Sequence, residues 1–133
     1  MKRLFVDTGA WFAFFNQADP DHEAVSELLL DWENLLLTTD YVFDELITLL
    51  RYRVDHHTAV KAGIALKNPS ITMLVYLQPD DRDKAWKQFQ RDHDKKYSFT
   101  DCTSFAVMMR LKIHQAAAVD NDFRRAGFRT LPD

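Results

Sequence analysis

The segment Tyr97-Ser98-Phe99-Thr100-Asp101-Cys102-Thr103-Ser104-Phe105-Ala106-Val107-Met108-Met109-Arg110-Leu111 decides how the chain is read. Thr100 is a natural N-cap, and apolar residues recur at helical spacing from Phe105 through Leu111. The segment predicts a largely buried helix with Asp101 in its first turn, where backbone N–H groups and the macrodipole favour a carboxylate. Just beyond it, Ala116-Ala117-Ala118-Val119 reads as a strand closed by Asp120. At the start of the chain, Leu4-Phe5-Val6 is a similar apolar run closed by Asp7. Two strand ends and one helix start each deliver an aspartate.

The rest of the chain supplies the frame. Thr8 and Gly9 break the first strand, and Ala10 to Phe15 begins a short helix. Asp19 or Asp21 caps an amphipathic helix whose apolar face carries Ala24, Val25, Leu28, Leu29 and Trp32. Leu35 to Thr38 reads as a second buried strand, and Thr39 or Asp40 caps a third helix from Tyr41 to about Arg53. Glu45 falls along the edge of that helix's buried stripe, where a carboxylate needs water or a partner, whereas Asp44 points away and is exposed. His56 and His57 precede a helix around Thr58 to Leu66 and read as surface or capping residues, since no further His or Cys pattern accompanies them. Ile71 to Leu77 is a strand, Pro79 to about His93 a helix with an acidic first turn, and Phe123 to near Gly127 a short helix. Phe128 to Leu131 is the terminal strand. Strands alternating with helices imply a three-layer α/β/α fold on a central, mainly parallel sheet, in one domain spanning residues 1–133. Ligands of such sheets collect at the carboxyl edge of the strands, which is where Asp7, Asp120 and, by the same topology, Asp101 belong.

A chain of 133 residues with 47% hydrophobic residues is long enough for one sizeable core. No apolar run approaches the roughly 20 residues that span a bilayer, and Asp7 comes too early for a signal peptide. Cys102 is the one cysteine, so no intramolecular disulfide forms; it reads as a small buried residue, and a reducing cytoplasm is the expected location. The net charge of −3 gives no global attraction to nucleic acid. Bound divalent cations would invert the local field, so a polyanionic substrate stays open. Arg51, Arg53, Lys95, Lys96, Arg124, Arg125 and Arg129 are read mainly as solvated faces.

Asp7, Glu45, Asp101 and Asp120 are thus singled out by context. Gathered carboxylates repel one another unless a cation compensates. Hard oxygen donors select Mg²⁺ or Mn²⁺, and such an ion activates water against a phosphodiester. Each residue also has a plain structural role open to it, as helix-terminal charge, turn residue or solvated edge.

The chain resembles the PIN-domain family, and within it the VapC-type toxins of toxin–antitoxin pairs. The resemblance is carried by Leu4-Phe5-Val6-Asp7-Thr8, Thr39-Asp40-Tyr41-Val42-Phe43-Asp44-Glu45-Leu46, Ser98-Phe99-Thr100-Asp101-Cys102 and Ala118-Val119-Asp120-Asn121-Asp122-Phe123, in that order over nearly the whole chain. It implies a metal-dependent endoribonuclease with Mg²⁺ or Mn²⁺ held at Asp7, Glu45, Asp101 and Asp120, and with Thr8 and Asp122 as adjacent supporting groups. It also implies an RNA substrate, an inhibitory antitoxin and a homodimer. Ala118 departs from the family pattern, which often has Thr or Ser there, and so removes one supporting hydroxyl.

Other readings fit less well. An aspartyl phosphatase of the haloacid-dehalogenase type wants a second aspartate where Gly9 stands, and a phospho-accepting receiver domain wants an acidic pair near the first strand's end. A non-catalytic PIN-like module that holds RNA or protein has no physical need to gather four like charges.

Overall fold

Short runs of Leu, Val, Phe and Ala, buried on both faces, pair side by side and force the polar connections outward. The computed structural model describes residues 2–133. Its elements are β1 (Arg3–Val6), α1 (Thr8–Phe15), α2 (His22–Asp31), β2 (Leu35–Thr39), α3 (Asp40–Arg53), α4 (His56–Lys67), β3 (Thr72–Val75), α5 (Pro79–Arg91), α6 (Phe99–Leu111), β4 (Gln115–Ala117), α7 (Asp122–Arg125) and β5 (Arg129–Leu131). Among the described residues, seven helices flank a five-stranded sheet of order β3-β2-β1-β4-β5. Every pairing is parallel, with Arg3 opposite Leu35, Phe5 opposite Ala116, Leu37 opposite Met73, and Ala116 opposite Thr130. The expected mainly parallel sheet is therefore wholly parallel across these strands.

This order puts the site where it is. From β1 the chain steps outward through β2 to β3, then returns to lay β4 on the other flank of β1. The connections after β1 and β4 leave in opposite directions, which opens a crevice at their carboxyl ends. Asp7 follows β1 directly, and its N–H donates to the Ala117 carbonyl at 3.0 Å, tying the crevice shut below the carboxylates.

Several boundaries differ from the sequence reading. Helix α1 starts at Thr8, with Asp7 in the N-cap position, rather than at Ala10. Thr8 and Gly9 fall in the first turn, whose N–H groups have no intrahelical partner anyway, so neither residue breaks the helix. Gly9 also makes room: a Cβ there would stand 3.0 Å from Val119 Cγ2, on the connection that carries Asp120. Strand β4 ends at Ala117, and Asp120 sits in the following turn instead of at the strand's last position. Helix α4 begins at His56, capped by the Asp55 carboxylate, so both histidines lie exposed in its first turn. Cys102 is buried in the core, as expected.

Candidate active site

Ser98, and not Thr100, caps α6. Both residue types cap well, but only Ser98 has an acid three positions on, which completes a reciprocal capping box. The Asp101 N–H donates to Ser98 Oγ at 2.9 Å, and the Ser98 N–H donates to Asp101 Oδ2 at 3.0 Å. Asp101 is therefore held by one oxygen against the helix start. One turn later, Phe105 packs edge-on against Phe123, ring centroids 4.9 Å apart, and Phe123 also packs on Phe5 of β1 at 6.1 Å. That aromatic knot locks α6, α7 and β1 together directly beneath Asp101, Asp122 and Asp7.

Asp120 turns the chain into α7: its Oδ1 accepts the Asp122 N–H at 3.0 Å. Asp122 lies near enough to Asp101 for the two carboxyls to act on each other's charge. On α3, Glu45 is half-buried and Asp44 exposed, as the helical spacing predicted. Thr39 caps that helix by accepting the Val42 N–H at 3.1 Å, which sets the rotation that turns Glu45 toward the crevice.

The electrostatics report how these groups converge. Asp7 is only 5% exposed. Burial, then the charge of Asp101, with smaller pushes from Asp120 and Glu45, raise its carboxyl well above the usual range, against a Thr8 backbone N–H that opposes them. Asp101 is pushed up to about 7, first by burial and then by Asp122 and Asp120, while Ser98 holds it down. Burial and Asp120 raise Asp122 as well. Asp101, Asp120 and Glu45 thus all lie close enough to act on Asp7, with Asp122 beside Asp101. The role of Asp122 against Asp101 depends on the turn after Asp120, which the sequence leaves undefined.

Among the described residues, no Lys, Arg or His forms an ion pair with Asp7, Glu45, Asp101 or Asp120, and Asp122 has only Arg125 at 4.0 Å. The Thr8 hydroxyl is buried beside Asp7 without a hydrogen-bond partner. An all-oxygen, uncompensated donor set fits a hard divalent cation. Among the described residues, no three His, Cys, Asp or Glu side chains converge tightly enough to enclose an ion. The donor set therefore suits an ion that keeps several waters and takes few carboxylates directly, as Mg²⁺ does. The larger surface hollows, about 600 Å³ beside α1, α2 and α4 and about 540 Å³ beside α5 and α6, contain none of these carboxylates.

Comparison with known proteins gives the same architecture. The family model described as PIN domain matches residues 4–129. The 23S rRNA-specific endonuclease VapC20 of Mycobacterium tuberculosis is 36% identical over 125 residues, covering 94% of this chain and 95% of that protein. A VapC ribonuclease of Archaeoglobus fulgidus is 26% identical over 114 residues, or 81% of this chain and 71% of that one. The crystal structure of the M. tuberculosis VapC20, described as a Sarcin-Ricin loop cleaving toxin, superposes with a TM-score of 0.89 at 35% identity, covering 94% of this chain and 95% of that one. FitAcB from Neisseria gonorrhoeae superposes with a TM-score of 0.66 at 13% identity, over 97% and 96% of the two chains, a likeness of fold alone.

Proposed function

The chain belongs to the PIN-domain family, and from that premise we propose that it is a VapC-type endoribonuclease, the toxin of a toxin–antitoxin pair, hydrolysing RNA phosphodiester bonds with a divalent metal ion. The observation that carries this reading is the convergence of Asp7, Glu45, Asp101 and Asp120 at the β1/β4 crevice without a compensating cation. When bound, Mg²⁺ or Mn²⁺ supplies charge stabilisation at the phosphoryl group and activation of water.

The protein's own groups do the rest. Asp7, Asp101 and Asp120 would hold the ion; Glu45, at the edge of the buried stripe of α3, would complete the donor set or orient water. The Thr8 hydroxyl, free of other partners, donates to a ligand or water beside Asp7. Asp122 adds a further carboxylate beside Asp101. The knot of Phe105, Phe123 and Phe5 fixes these groups before substrate arrives, so little reorganisation accompanies the reaction. Ala118 adds no hydroxyl, and the site works with the donors named.

The same reading gives the chain an antitoxin partner and a self-associated state. Support for the latter is an exposed aromatic cluster on α5: Trp86, 53% exposed, stacks on Phe89, 39% exposed, and both pack edge-on against Phe99. The unit is one domain over residues 1–133. Among the described residues no helix is long and apolar enough to cross a membrane.

The test is cleavage of structured RNAs, ribosomal RNA included, by purified protein with Mg²⁺, with Mn²⁺ and with chelator, beside Asp101→Asn. Metal-dependent cutting that falls at least about 100-fold in the variant is expected. Equal cutting in chelator, or full activity in Asp101→Asn, overturns the assignment.

A further inference from the structure

We propose that Ser98 is a positioning residue for the metal site, acting through Asp101. This inference rests on the proposed metal-dependent reading of the crevice. Ser98 carries no charge, and it is exposed, so no packing role accounts for its placement. Its hydroxyl accepts the Asp101 N–H at 2.9 Å and its own N–H donates to Asp101 Oδ2 at 3.0 Å. The two bonds fix both the backbone and the side-chain rotation of Asp101. Oδ2 is kept at the helix start, and Oδ1 is left free of the capping box.

That division of labour matters for a divalent site. A carboxylate free to rotate offers an ion two interchangeable oxygens and must be ordered on binding; a clamped one is ordered beforehand. Asp101 is only partly exposed and stands in the first turn of α6, where the capping box leaves its side chain little freedom. Without the Ser98 hydroxyl the Asp101 N–H loses its acceptor and the first turn of α6 frays, so the Ser98 backbone N–H and Oδ2 fall out of register and the donor set loses its ordered member. The Ser98-x-x-Asp101 pair thus combines a helix cap with a ligand holder.

Ordinary helix capping supplies the control. Asp55 caps α4 in the same manner, accepting the Thr58 N–H at 2.7 Å, and α4 carries none of the crevice residues. Asp55→Ala and Ser98→Ala each remove one cap.

The experiment titrates Mn²⁺ alone into the full chain by calorimetry, and measures thermal midpoints in chelator, for the unmodified protein, Ser98→Ala, Ser98→Thr and Asp55→Ala. Mn²⁺ affinity is expected to fall about tenfold in Ser98→Ala, to be restored in Ser98→Thr, and to be unchanged in Asp55→Ala. Midpoints in chelator should fall in both alanine variants. RNA cleavage should lose kcat in Ser98→Ala with KM for RNA held. Unaltered Mn²⁺ affinity in Ser98→Ala, an equal loss in Asp55→Ala, or no recovery with threonine overturns the positioning role and leaves the nuclease reading standing. An unmodified chain that binds no Mn²⁺ overturns both.

Discussion

At the scale of single residues, the crevice is a place where function works against stability. Asp7 and Asp101 both keep a proton in the folded protein more strongly than in the unfolded chain, because of burial and like-charged neighbours. Unfolding releases that proton, so stability declines as pH rises above about 4, for Asp101 as far as about pH 7 and by up to about 1.4 kcal/mol per pH unit. In chelator, the thermal midpoint should therefore fall from about pH 5 to about pH 7.5, and saturating Mg²⁺ should reverse the decline by binding the folded state. Asp7→Asn should raise the neutral-pH midpoint in chelator while abolishing cleavage. A midpoint indifferent to pH in chelator, or lowered by Asp7→Asn, would show that the carboxylates do not repel as described. Asp7, Asp101 and Asp120 were legible from the sequence because strand ends and helix starts are local features. Glu45 was visible as a carboxylate at the edge of an apolar stripe and was singled out with the aspartates on that ground, a weaker signal than a strand end or a helix start. Ser98 was missed as a cap because two hydroxyl residues compete in that stretch, and the deciding partner lies three residues on.

At the scale of elements, α6 is steadied at both ends. Its start is held by the capping box; its last turn is held by Arg110, which donates to both oxygens of Asp81 on α5 at 2.9 to 3.2 Å. Asp81 is 1% exposed. Burial pushes its carboxyl upward, but the Arg110 guanidinium and the Gln78 N–H outweigh that and hold it below the usual range. Arg110→Ala should cost about 3 kcal/mol, since it strands a buried carboxylate. Pairing Asp81→Leu with Arg110→Met should cost less than the single change, because no charge is left unpaired. Denaturant unfolding decides this, and a double variant weaker than Arg110→Ala would refute it. Nothing in the sequence marked this clamp: Asp81 read as one more acid in the first turn of α5, and a partner 29 positions away has no local signature. Element identities were legible throughout because apolar periodicity is strong; their ends shifted wherever a cap or turn had two candidate residues.

At the scale of the whole molecule, β3 is an edge strand, and α5 presents Trp86 and Phe89 to solvent. If this is the self-association face, Trp86→Lys should shift sedimentation toward the monomer without lowering the thermal midpoint by more than about 1 kcal/mol equivalent. A monomeric unmodified chain, or a variant that sediments unchanged, would remove that face from consideration. The alternation of strands and helices made the layered parallel architecture readable, but the position of β4 next to β1 was not, since strand order depends on contacts far apart in the chain. That neighbouring of β1 and β4 has a further consequence for how the protein is made. Phe5 finds its partner in Ala116, so the central strand waits, one flank bare, until more than a hundred further residues have been synthesised. A nascent chain that stops before residue 115 has neither the strand that closes the crevice nor Asp120 beyond it. The site is thus assembled only once the chain from β4 to Asp120 has joined β1, so no shorter amino-terminal fragment holds the full set of carboxylates.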